Sequence, residues 1–245
     1  MEFEGLLQPA RSLPSATPDS RSSVGPPRGW KYLEQVVVPL IPDMGALAEE
    51  GSYFTTNNAQ TGLATAAAPT AFSATNPFLL IYNKASAGEL AKRIIMDYAL
   101  LLATAAGTAA ASVQFAVTID AGNRYTSGGT EITANIVNPN GDVGTGSIAK
   151  VYAGNITAST ATAAARTIVG NRYMKGAIPV AGDSYAVKFG GVDCPSFFGI
   201  STILFSLNNV PKVVVPPNWS ALLHLWFPSQ SGASSYVPEL GWWER

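Results

Sequence analysis

Between Tyr98 and Ile119 the chain carries no charged residue, a stretch long enough to cross a bilayer as a helix. Its internal pattern argues against a helix. Val113, Phe115, Val117 and Ile119 alternate with Gln114, Ala116 and Thr118, which is the side-chain period of a strand. The small residues Ala105-Ala106-Gly107-Thr108-Ala109 interrupt the stretch in its middle. Two strands joined at that break account for the stretch better than one membrane span does.

The same alternation recurs along most of the chain. Strands are predicted at Phe78–Asn83, Arg93–Thr104, Ser112–Asp120, Thr130–Val137, Ser147–Ala153, Arg166–Tyr173, Ser184–Phe189, Phe198–Leu207, Lys212–Val215, Ser220–Phe227 and Tyr236–Trp242. Clusters of Gly, Pro, Asn or Asp separate them, the layout of an antiparallel sandwich or barrel. GELAKRIIMDYALLLA (88–103) competes as a helix on propensity. Its apolar runs Ile94–Met96 and Leu100–Leu102 do not make one stripe, so a strand is expected there, with a helical turn near Ala87–Ala91. The fold class is therefore all-β.

Residues 1–42 differ. The first 30 or so are rich in Pro, Ser and Arg without a periodic apolar face, and the extended run Val36-Val37-Val38-Pro39-Leu40-Ile41-Pro42 follows. We read 1–42 as an extended N-terminal arm and 43–245 as the sandwich. Ala59–Thr75, mostly Ala, Thr, Gly and Pro, reads as a surface excursion.

Charged residues make up 13% of the 245-residue chain, against about 25% in ordinary soluble domains. A formal net charge of −1 gives no electrostatic reason to bind nucleic acid or an anionic membrane. So few charges fit a surface coated with Thr, Ser, Asn and Gly, or one hidden in an assembly. Alternation supports the assembly. In Ser220–Phe227, Leu222, His224 and Trp226 lie on one face while Ala221, Leu223, Leu225 and Phe227 lie on the other, so both faces need cover. The expected interface set is Val36, Val37, Val38, Leu40, Ile41, Leu222, His224, Trp226, Trp242 and Trp243. The aromatic tail containing Tyr236, Trp242 and Trp243 is also the kind of segment that locks a core.

Candidate chemistry is sparse. One cysteine, Cys194, excludes an internal disulfide, and one histidine, His224, leaves no His/Cys set for zinc. The opening MEFEGLLQPARSLPS has two early acids and no sustained apolar run, unlike a secretory signal. DAGNRYTSGGTEI (120–132) has the glycines of a phosphate loop, but no Lys follows them and the next residues alternate like a strand. It reads as a structural turn in which Gly128 and Gly129 supply positive φ and Asp120, Asn123 and Arg124 brace the backbone. His224 lacks a nominated nucleophile and reads as a packed residue. A glycosidase would need two of Asp97, Asp120, Glu131, Asp183 and Asp193 across a cleft. Asn138-Pro-Asn-Gly-Asp142 crowds oxygen ligands as a calcium loop does, yet turn propensity explains the same residues. No catalytic, metal or cofactor residue is expected.

The run RIIMDYALLLATAAGTAAASVQFAVTIDAGNRYTSGGTEITANIVNPN (93–140) resembles a pattern in virion structural proteins of tailed bacteriophages. Its parts are a strand centred on Asp97-Tyr98, then Thr104–Thr108, a second apolar strand ending at Asp120, and Asn123–Thr130 leading into Asn-Pro-Asn. The resemblance extends loosely to PNWSALLHLWFPSQ (217–230). It implies a jelly-roll-like antiparallel β-sandwich, a homo-oligomer and specifically a trimer, bound to the major capsid protein or other virion proteins as a cement or decoration protein. Such families contribute no catalytic residues, cofactor, nucleic-acid contact or membrane contact. The rival expectations are a host-recognition or polysaccharide-binding module of a tail fibre, a carbohydrate-active enzyme, and a major coat jelly roll.

Overall fold

The computed structural model describes residues 50–58, 62–65, 69–85, 92–141, 146–190 and 210–245. The chain divides into Met1–Asp43 and Met44–Arg245, and every described residue belongs to the second unit. The arm, Cys194, Asp193, the turn expected near Ala87–Ala91 and the strand expected at Phe198–Leu207 lie outside the described residues.

Twelve strands are described: β1 (Tyr53–Asn57), β2 (Leu63–Ala64), β3 (Leu79–Asn83), β4 (Ile94–Ala105), β5 (Val113–Ala121), β6 (Tyr125–Glu131), β7 (Ala149–Ala158), β8 (Arg166–Lys175), β9 (Ser184–Lys188), β10 (Val214–Val215), β11 (Trp219–Trp226) and β12 (Ser235–Glu244). They form two antiparallel sheets packed face to face, the β-sandwich that the alternation predicts. In the first sheet β12 and β4 are central; β1 and β2 flank β12, and β9 and β10 flank β4. The second sheet runs β6-β7-β3-β11-β5-β8. The uncharged stretch that imitates a membrane span is β4 and β5, one strand from each sheet. Among the described residues no helix is long and apolar enough to cross a membrane.

Alternation decides what each strand buries. On β5, Val113, Phe115, Val117 and Ile119 enter the space between the sheets, as do Ala221, Leu223 and Leu225 on the neighbouring β11. The first sheet answers with Ile94, Met96, Ala99, Leu101, Ala103, Leu240, Tyr236 and Trp242. The jump from Met96 to Ala99 breaks strict alternation because β4 bulges. Gly241 pairs with Tyr98 and Trp242 with Met96, which leaves Asp97 as the extra residue. Tyr236 and Trp242 are fully buried, so the terminal aromatics do lock the core.

Two expectations need correction. The predicted strand Thr130–Val137 is instead the end of β6 followed by a 3-10 turn at Thr133–Asn135. Ile132 and Ile136, both buried, are four residues apart, a spacing that a strand and a helical turn both place on one side. The turn wins because the Thr133 hydroxyl accepts from the Val151 amide and the Asn135 side-chain Nδ2 donates to the Asn57 carbonyl. Second, Gly128 and Gly129 do not sit in the reversal. They lie within β6, at φ 73° and 65°, where the ladder to β7 slips register. A Cβ on Gly128 would stand 2.5 Å from the Asn155 carbonyl oxygen, so the close approach of β7 as well as φ requires glycine.

Candidate functional site

The outer face of the second sheet carries a group of polar and aromatic side chains. It is made by Gln114, Ala116, Thr118 and Asp120 of β5, Ser220, Leu222, His224 and Trp226 of β11, and Leu80 and Tyr82 of β3. Leu80, Leu222, Tyr152, Ile156 and Ala158 form a second, smaller apolar cluster there. The Tyr125 and Tyr152 rings stack beside it, 3.7 Å between centroids.

A strap from Pro69 to Pro77 lies along this face. The Phe227 amide donates to the Pro69 carbonyl and the Ala158 amide to the Thr75 carbonyl. Between these anchors the Phe72 ring meets His224 at 4.9 Å and Trp226 at 5.7 Å, edge to face in both cases. Most of the strap, Pro69 to Thr75, falls inside the stretch read as a surface excursion, and part of that stretch is thus a cover over a sheet.

Arg124 holds the strap down. Its guanidinium donates to the Asp120 carboxylate, to the Ala74 carbonyl of the strap and to the Ser159 carbonyl and hydroxyl after β7. Asp120 also accepts from the Ala121 amide and from the Thr162 amide and hydroxyl. Burial alone would raise the Asp120 pKa, but hydrogen bonds from Thr162, Ala121 and Arg124 outweigh it and hold the carboxyl below its ordinary value. Asn123 accepts from the Tyr125 amide, and the reversal itself is at Gly122, φ 81°. Asp120, Asn123 and Arg124 therefore brace this turn, while Gly128 and Gly129 serve the strand beyond it.

His224 is buried under Phe72, with Nε2 3.0 Å from the Thr118 hydroxyl. Burial lowers its pKa from 6.5 to about 4, opposed by a backbone hydrogen bond with Ser73 and reinforced by the charge of Arg124. The ring is neutral at pH 7 and packs between a threonine and an aromatic cover.

Of the carboxylates named as glycosidase candidates, Asp97, Asp120 and Asp183 have separate partners, and Asp193 lies outside the described residues. Asp97 accepts from the Tyr53 hydroxyl at 3.1 Å, and Asp183 accepts from the Lys175 ammonium at 2.5 Å, the Tyr185 hydroxyl and the Val180 amide. Glu131 ends β6 on the surface. Two acids not singled out in the sequence also anchor structure. Glu239 accepts from the Tyr98 hydroxyl at 2.5 Å, and Glu244 accepts from the Ser147 hydroxyl, the Ile148 amide and the Trp242 indole. Burial first, then the adjacent carboxylates, pushes the Tyr53 phenol above its usual range; for Tyr98 burial is followed by the bond to Glu239. In the proposed calcium loop Asn138 accepts from the Asn140 amide and donates to the Gly51 carbonyl, as a turn residue does, and Asp142 lies outside the described residues. Among the described residues no three His, Cys, Asp or Glu side chains group as a metal site would.

The outer face of the first sheet is different in kind. Cross-strand neighbours Val237 and Leu102, then Trp243, Ile95 and Val214, carry apolar side chains there, with Leu100 between them. All are partly exposed, and Leu102 reaches 42%. The Lys212 ammonium sits 4.0 Å over the Trp243 ring. Of the expected interface set, Leu222, His224 and Trp226 are thus buried within the chain, Trp242 is in the core, and Trp243 keeps surface to offer. Val36, Val37, Val38, Leu40 and Ile41 lie outside the described residues. Leu100, Leu102 and Val237 escaped the sequence reading; their signal was β4 and β12 being apolar on both faces. Comparison with protein-family models, with curated proteins and with solved structures finds no match to this chain.

Proposed function

We propose that the chain is a non-enzymatic structural protein of a phage virion, a cement or decoration protein that binds and stabilises the head shell as an oligomer, specifically a trimer. The observation that carries this reading is the contrast between the two outer faces. One is covered by the chain's own strap, whereas the other presents Leu100, Leu102, Val237, Ile95 and Trp243 with partial exposure. An apolar sheet face on which Lys212 lies over Trp243 and Glu239 is bonded to Tyr98 suits burial against a copy or a shell subunit. The low charge content and the resemblance over residues 93–140 point the same way.

On this reading the work is mechanical. Apolar area buried between copies and across shell subunits offsets the outward pressure of packaged DNA, and the arm of residues 1–42 lies as extended chain along a neighbour. Deleting residues 1–30 is expected to leave a folded body that no longer binds capsids, scored by co-sedimentation with purified heads. Undiminished binding rejects the role of the arm, and a reconstruction of the particle that places the chain away from the head rejects the cement assignment.

A tail-fibre host-recognition or polysaccharide-binding module is the second reading, favoured by Tyr173, an aromatic 61% exposed on β8. A glycan array separates the two: specific sugar binding together with a tail position selects this one.

A further inference from the structure

Three hydroxyls inside the sandwich have no hydrogen-bond partner outside their own group: Thr65 Oγ1, Ser234 Oγ and Tyr236 OH. Thr65 is 3% exposed, and Ser234 and Tyr236 are fully buried. Strand register brings the three together. Leu63 pairs with Tyr236 and Ala64 with Ser235, and the Thr65 amide continues that ladder by donating to the Ser234 carbonyl at 3.0 Å. Directly opposed residues of an antiparallel pair point to one side, as do residues two apart on a strand. Thr65, Ser234 and Tyr236 therefore share the inward side of this end of the first sheet.

The surroundings keep them there. The Tyr236 ring is enclosed by Phe78 at 5.7 Å, Phe227 at 6.0 Å and Tyr185 at 6.1 Å. Burial pushes the phenol above its ordinary pKa, opposed by a side-chain hydrogen bond with Ser234 and reinforced by the charge of Asp183, so Tyr236 stays a neutral donor. Folded interiors pair nearly all such groups, and three hydroxyls on one side of one strand pair that reach nothing beyond one another call for a common partner. Each can both donate and accept, and none is charged, which is the chemistry of a site for water rather than for an ion. The neighbouring Tyr185 hydroxyl bonds Asp183, whose ion pair with Lys175 is partly exposed, so polar groups lead from this region to the surface.

We propose that Thr65, Ser234 and Tyr236 form an internal water-binding site, and that long-lived bound water is a structural component of this end of the sandwich. The inference is independent of the virion reading. Oxygen-17 relaxation dispersion on the full chain counts such waters. Tyr236→Phe and Ser234→Ala are each expected to reduce the dispersion amplitude and to lower Tm by about 2–4 °C, the shift that losing one hydrogen bond produces in a chain of this size. An unchanged amplitude in both variants, whatever the shift in Tm, shows that the hydroxyls hold no water, and the proposal fails. Should either variant not fold, a high-resolution crystal structure of the wild type decides. Solvent within about 2.5–3.0 Å of two of the hydroxyls upholds the site, and hydroxyls bonded to one another without solvent overturn it.

Discussion

Arg124 and Asp120 show how much one buried pair can organise. Four residues apart in sequence, they close the turn at Gly122, and through Ala74 and through Ser159 and Thr162 they join two segments distant in the chain. Replacing Arg124 with Met leaves a buried carboxylate without its counter-charge, and is expected to cost about 3–5 kcal/mol in urea unfolding. A loss no larger than that of an exposed substitution would show that the strap holds without it. The Asp120 carboxyl is depressed in the folded state, so its contribution is present above the unfolded value of about 3.9 and disappears as pH falls below it. His224 acts over a different window. Its folded pKa lies below its unfolded value, so the unfolded chain takes up the proton first and stability falls as pH drops from 6.5 towards 4. A depression of this size corresponds to about 3 kcal/mol across that window. Unfolding midpoints at pH 7, 5.5 and 4.5 should show it, and His224→Gln should flatten the dependence.

At the scale of elements, the strap and the bulged strands matter most. Phe72 is 45% exposed yet covers a fully buried histidine, so its ring protects more than it buries. Phe72→Ala should let water reach the imidazole and move its pKa from about 4 back towards 6.5. One histidine in the chain makes the NMR titration unambiguous, and an unmoved value would mean that other residues do the shielding. The bulge in β4 makes a second demand. A Cβ on Gly241 would lie 2.3 Å from the Tyr98 ring and 2.5 Å from the Tyr53 hydroxyl, the two phenols that bond Glu239 and Asp97. Gly241→Ala is expected to destabilise by about 1–3 kcal/mol through this overlap, measured by thermal unfolding. Both edges of the second sheet, β6 and β8, carry register slips in their ladders. Such irregular edges discourage strand-to-strand addition.

For the whole molecule the two faces of the sandwich are not equivalent. If association uses the outer face of the first sheet, Leu102→Lys places a charge in the contact while leaving the core untouched, because this side chain points away from it. The variant should sediment as a smaller species than the wild type with an unchanged Tm. A wild-type chain that is monomeric at all concentrations removes the oligomer from the proposal.

What the residues determined alone is the class of fold and the position of most strands, because a period of two is imposed by the backbone and is visible wherever one side is apolar. β3, β4, β5, β8 and β11 were legible for that reason. β1 and β2 were not, being short and rich in Thr and Ala, and β6 was hidden by glycines that ordinarily mark turns. Alternation also showed that β11 is apolar on both sides. Only the tertiary structure decided that its outer side lies under the chain's own strap, while Leu100, Leu102 and Val237 on the outer side of β4 and β12 stay partly exposed. The pattern along a strand records which side a residue faces, whereas what lies over that side depends on where a segment far away in sequence comes to rest.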